Sequence, residues 1–134
     1  MAKIAEIKGV STVHAEKLGS ANLKTTEDFL AAAATPEARK ALAEATGISP
    51  NTLLEWANRA DLHRVKGIGE QYSDLLEAAG VDTVPELAQR RPDNLVKKLI
   101  EINEVNKLVQ KLPTESQVAD WVNQAKALPR MLHY

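Results

Sequence analysis

The sequence predicts an all-α protein made of two pseudo-repeated halves packed into one compact helical domain. Three observations carry this: well-placed helix caps, apolar residues at helical spacing, and a set of landmark residues that occurs twice in the same order. No stretch alternates apolar and polar residues long enough to argue for a strand. Taken along the chain, Thr35-Pro36 and Ser49-Pro50 each place an N-cap residue before a proline at the first helical position. Gly47 and Gly80 stand where helices should stop, supplying a left-handed cap. Leu75, Leu76 and Ala79 are spaced for one helical face, as are Leu95, Leu99 and Ile102. Thr83 with Glu86, and Thr114 with Gln117, have the spacing of a capping box. These caps imply roughly eight to ten short helices.

Self-similarity organises the chain. Ile4-x-x-Ile7-Lys8-Gly9-Val10-Ser11 matches Leu62-x-x-Val65-Lys66-Gly67-Ile68-Gly69, 58 residues on. At the same offset Leu18 falls on Leu76, Leu23 on Val81, Thr25 on Thr83 and Phe29 on Leu87. Trp56-x-Asn58-x-Ala60 matches Trp121-x-Asn123-x-Ala125 at an offset of 65, which implies about seven extra residues near Asn103 to Lys111. The halves are 1–60 and 61–134, sharing one globular unit. In a chain with only 4% aromatic residues, each tryptophan is expected to anchor the core of its own repeat rather than form a platform for bases.

Composition narrows the function classes. The chain has 134 residues, 44% of them hydrophobic, a net charge of −1 and no cysteine. Disulfides, thiol catalysis and thiolate metal sites are thereby excluded, as is a strongly basic nucleic-acid coat. The longest apolar stretch, Phe29 to Ala34, is far short of a membrane span, and the first residues do not resemble a signal peptide. A cytoplasmic protein with no membrane partner is the simplest expectation.

Val65-Lys66-Gly67-Ile68-Gly69, followed by a helix ending near Gly80, resembles a helix-hairpin-helix motif. Gly9-Val10-Ser11 followed by Ala15 and Leu18 resembles a degenerate partner. The whole chain is similar to an uncharacterised bacterial family, a domain of unknown function built from such motifs. That likeness is strongest over residues 60–89 and in the Trp121 helix. The resemblance implies a tight turn in which Gly67 and Gly69 take positive φ and whose apolar centre, Ile68 or Val10, tucks between helices. In DNA-binding members the turn meets backbone phosphates, and in some it holds a monovalent cation on its carbonyls. This sequence departs from the binding pattern, which has proline and lysine after the second glycine. Glu70 and Gln71 stand there in the second copy, Thr12 and Val13 in the first. Asp74 and Glu77 add negative charge, and Ser11 in place of a glycine is expected to tighten or distort the first turn.

Basic residues concentrate in Arg90, Arg91, Lys97, Lys98, Lys107 and Lys111, against Asp93, Glu101 and Glu104. A polyanion surface should centre there, aided by His63, Arg64 and Lys66, unless the segment is simply a solvated helix face. No enzyme is expected: His14, His63 and His133 are scattered, and neither a metal pattern nor a phosphate loop is present. His14 and Tyr72, equivalent in the two copies, are better explained as aromatic packing positions. No catalytic residue, metal or cofactor is therefore assigned. The favoured function is a non-enzymatic protein-interaction or scaffold module. The alternative is sequence-independent binding of nucleic-acid backbone through Lys8, Gly9, Val10, Ser11, Arg64, Lys66, Gly67, Ile68 and Gly69, with Arg90, Arg91, Lys97 and Lys98.

Overall fold

Helix caps account for most of the secondary structure in the computed structural model, which describes residues 3, 4, 7 and 9–134. Among these there are eight α-helices and no β-strand, only an isolated antiparallel bridge between Lys3 and Thr25. The protein is all-α. Helix α1 (Thr12–Ser20) starts behind Ser11, and α2 (Thr26–Ala32) behind Thr25. Thr25 accepts the Asp28 N–H while Asp28 accepts the N–H groups of Lys24 and Thr25, a closed capping box. Those backbone donors hold the Asp28 carboxyl below the ordinary carboxylate range. Its aspartate stands where the familiar spacing has Glu or Gln, which is why the box escapes a search for that pattern.

Helix α3 (Pro36–Thr46) begins behind Thr35 and ends on Gly47 at φ +77°, and α4 (Pro50–Leu62) begins behind Ser49. After α5 (Glu70–Ala78), Gly80 takes φ +88°. Thr83 caps α6 (Val84–Ala88), but Glu86 turns its carboxylate to Arg90 at 2.8 Å, so the reciprocal half of the expected capping box is not made. Helices α7 (Pro92–Asn106) and α8 (Glu115–Ala127) complete the chain, the latter behind a full Thr114–Gln117 capping box.

The chain divides into two compact units, 1–61 with 130–134, and 62–129. Each buries its own apolar cluster. The first is built on Ile7, Leu18, Phe29, Leu30, Leu53 and Trp56, and the second on Leu62, Val65, Leu75, Leu76, Leu87, Leu99 and Trp121. Each such side chain withdrawn from water stabilises its unit by roughly 1.5–3 kcal/mol.

Backbone hydrogen bonds recur 58 residues apart. Ile7 N–H donates to the Ile4 carbonyl at 3.2 Å, and Val65 to Leu62 at 3.1 Å. Val10 donates to Ile7 as Ile68 does to Val65, and Leu23 to Leu18 as Val81 does to Leu76. The later change of offset has two sources. Helix α7 has 15 residues against 11 in α3, and a longer connection follows it. Asn103 organises that connection: its amide N–H donates to the Val109 carbonyl and its oxygen accepts the Val109 N–H, both at 3.0 Å.

The last five residues complete the first unit. Leu132 is 2% exposed within its core, and His133 N–H donates to the Ala34 carbonyl at 2.8 Å. Arg39, itself buried, donates from Nη1 to the Ala33 carbonyl at 2.7 Å and from Nη2 to the His133 carbonyl at 2.8 Å. A buried guanidinium needs such acceptors, because its N–H groups have lost water. Truncation of Leu132 to alanine should therefore cost roughly 2–5 kcal/mol. A urea titration reads this directly, and an unshifted midpoint would remove the tail from the core.

Ser73 on α5 is fully buried, and its Oγ has no hydrogen-bond partner. Ala15 holds the matching place 58 residues earlier. Ser73→Ala should raise stability by about 1 kcal/mol, since it deletes an unsatisfied hydroxyl without opening a large cavity. A thermal melt that moves down instead would contradict this account.

Candidate functional site

The second of the two glycine turns occupies residues 63–69, between the end of α4 and the start of α5. Its defining feature is Gly67, at φ +99°. A Cβ built on Gly67 would lie 2.9 Å from Nε1 of Trp121, closer than real Cβ contacts allow. Glycine is thus required twice over, by the backbone angle and by the indole against it. Trp121 is only 3% exposed, and Tyr72 tilts across it with ring centroids 5.2 Å apart. The Tyr72 hydroxyl donates to the Lys111 carbonyl at 3.0 Å. Ile68, the apolar centre of the turn, is buried.

The first unit contains the same constellation. Gly9 stands at φ +92°, and a Cβ there would lie 3.1 Å from Nε1 of Trp56. His14 takes the place of Tyr72, with its ring centroid 5.1 Å from that of Trp56. Val10 is buried, as is Trp56 at 5% exposure. Both tryptophans are core residues.

The glycine and serine that close the two turns behave differently from expectation. Gly69 does not take a left-handed angle: it is the N-cap of α5 at φ −97°, with nothing within 4 Å of a Cβ built there. Ser11 sits equivalently at φ −76°, and its hydroxyl accepts the His14 N–H at 3.3 Å. The serine caps its helix and does not distort the turn, because the position is extended backbone that any residue adopts.

The polar groups of the second turn are largely engaged within the unit. Gln124 on α8 accepts the Lys66 N–H at 2.8 Å and donates to the Lys66 carbonyl at 3.0 Å. Gln124 is itself steadied by Asp120 at 2.8 Å. The Val65 carbonyl accepts the Ile68 N–H, and His63 Nδ1 lies 3.2 Å from the Ile68 carbonyl, a hydrogen bond in its Nδ1–H tautomer. The carbonyls of Val65, Lys66 and Ile68 thus each face a donor of the same unit. Arg64 donates to the Pro129 carbonyl at 2.8 Å. Gln124 was absent from the sequence-derived site, although its place one turn beyond Trp121 on the same helix was a usable signal.

The basic segment is partly neutralised by its own neighbours. Arg90 donates from Nε and Nη2 to Glu86 Oε1 at 3.2 and 2.8 Å, and Arg91 donates to Asp93 at 3.1 Å. Asp93 also accepts the Asn94 N–H at 2.8 Å, and this backbone bond, aided by Arg91, holds its carboxyl below the ordinary range. Lys66, Lys97 and Lys98 are exposed. Of the candidate binding residues, Gly9, Val10 and Ser11 belong to the first unit. Arg64, Lys66, Gly67, Ile68, Gly69, Arg90, Arg91, Lys97 and Lys98 belong to the second, while Lys8 lies outside the described residues. Among the described residues no group of three or more His, Asp or Glu is placed to hold a metal ion, and no helix is long and apolar enough to cross a membrane.

The chain matches the family described as Domain of unknown function (DUF4332) over residues 8–128, and it belongs to that family. No curated protein and no solved structure matches it.

The two glycines of the second turn should respond in opposite ways to a methyl group. Gly67→Ala should cost about 1–3 kcal/mol from the backbone angle alone, and more from the indole contact. Gly69→Ala should stay within about 0.5 kcal/mol of the parent. Equal shifts in thermal melts of the two variants would refute the assignment of strain to Gly67.

Proposed function

We propose that the chain is a non-enzymatic helical interaction module. In this reading two helix-hairpin-helix-like repeats form the corners of a scaffold, and the partner is another protein. The observation that carries it is the Gln124 clamp. A turn that binds phosphate presents its backbone N–H groups outward, whereas the Lys66 peptide is held on both sides by one glutamine of its own unit. Electrostatics support the same choice. Glu70 is exposed in the first turn of α5, where it repels an incoming phosphate. Val13, Ile100 and Val105 are exposed apolar side chains on helices, of the kind a protein contact covers. The lack of cysteine fits a reducing compartment such as the cytoplasm.

One feature favours sequence-independent nucleic-acid binding as a second function. Gly69 has no side chain with which to cap α5, so no N-cap side chain satisfies the first N–H groups of that helix, and Lys66 is exposed in the same turn. The two functions separate by salt. Fluorescence anisotropy of a labelled duplex should show feeble binding by the parent protein at physiological ionic strength. A Glu70→Pro, Gln71→Lys variant, which restores the binding pattern, should gain affinity, and its log–log salt slope should steepen by roughly one per phosphate contact added. Tight, salt-sensitive binding by the parent would make nucleic acid the leading partner and overturn the protein-interaction assignment.

A further inference from the structure

The second unit contains a cavity of about 280 Å³ where α6 gives way to α7, lined by Gln89, Arg90, Arg91, Asn94, Leu95 and Lys98. Three of those six side chains are cationic, two are amides, and none is a carboxylate. We propose that this cavity is a binding site for a phosphate group, either free phosphate or a phosphate monoester. The site uses no residue of the hairpin turns and does not depend on the protein-interaction function proposed above; it shares Arg90, Arg91 and Lys98 with the alternative nucleic-acid surface, from which the phosphodiester arm of the test below separates it.

The carboxylates nearest to these cations act from outside the lining. Glu86 engages Nε and Nη2 of Arg90, and Asp93 engages Nη2 of Arg91, so each guanidinium is oriented while keeping other N–H donors for a ligand. Lys98 makes no ion pair among the described residues and adds a third, mobile donor. Three positive charges against two negative ones leave the cluster one unit positive.

The shape of the anion follows from that donor set. Two planar forks and an ammonium converge best on a group that offers several oxygens and more than one charge. A phosphate monoester carries about −1.5 to −2 at neutral pH and presents three acceptor oxygens, whereas a carboxylate presents two and one charge. A phosphodiester also has only two free oxygens and a single charge. Leu95, a buried apolar residue of the lining, contributes low-dielectric wall that strengthens the attraction between the remaining partners. Gln89 and Asn94 supply amide donors for an oxygen that the cations leave unfilled.

Calorimetric titration of the full chain tests this with inorganic phosphate, phenyl phosphate, dimethyl phosphate and acetate at one ionic strength. Saturable binding is expected for the first two, about tenfold or more tighter than for the last two. Tighter binding of inorganic phosphate would identify free phosphate as the ligand, and tighter binding of phenyl phosphate a group carried on a larger molecule. Lys98→Gln and Arg91→Gln, both at exposed positions, should each weaken binding about tenfold while leaving the thermal melt unchanged. The proposal is overturned by an absence of saturation, by acetate or dimethyl phosphate binding as tightly as phosphate, or by variants that bind like the parent.

Discussion

A tryptophan lying against a glycine is the contact on which each unit depends. A buried indole is the largest apolar group available to a chain so poor in aromatic residues, and it must meet the turn without leaving a void. Only a residue without a Cβ permits that approach at Gly67 and at Gly9, and only glycine takes the required backbone angle without strain. The ring beside each indole, His14 or Tyr72, then covers its outer side. One contact therefore couples the geometry of the turn, the position of the last helix of the unit and the start of the helix after the turn.

That coupling bears on function. The second turn packs against Trp121, and Gln124 bonds both the N–H and the carbonyl of Lys66. Under the proposed interaction function, a turn whose hydrogen bonds are filled internally serves as an architectural corner, with recognition left to other surfaces. The basic residues follow the same logic. Arg64 fastens the Pro129 carbonyl, and the two arginines before α7 are oriented by neighbouring carboxylates instead of forming a diffuse positive face. The cations that line a concavity, Arg90, Arg91 and Lys98, suit one small anion better than an extended polyanion.

The all-helical fold was legible because it rests on local chemistry. Caps such as Thr35, Ser49, Thr83 and Thr114 act within one turn of the chain, and apolar spacing reports a helix's buried face directly. The correspondence of Gly9 with Gly67, of His14 with Tyr72 and of Trp56 with Trp121 was legible for a related reason: steric demands at a close contact restrict residue type. Gly69 was misjudged because composition does not distinguish a glycine needed for its angle from one that merely precedes a helix. The Thr25–Asp28 box was missed because aspartate does the work of glutamate at shorter reach.

By itself, then, the sequence determined the helical class, most of the N-cap residues and the correspondence of Gly9 with Gly67, His14 with Tyr72 and Trp56 with Trp121, since these follow from neighbours along the chain or from restricted residue type. Tertiary structure alone decided which polar groups were already spoken for. Nothing local in Gln124 shows that it spans the Lys66 peptide, nor in Arg39 that it is buried against the His133 carbonyl, nor in the last five residues that they return to the first unit. Hydrogen bonds between distant residues depend on where the backbone is carried in space, and that path is settled by the packing of whole helices.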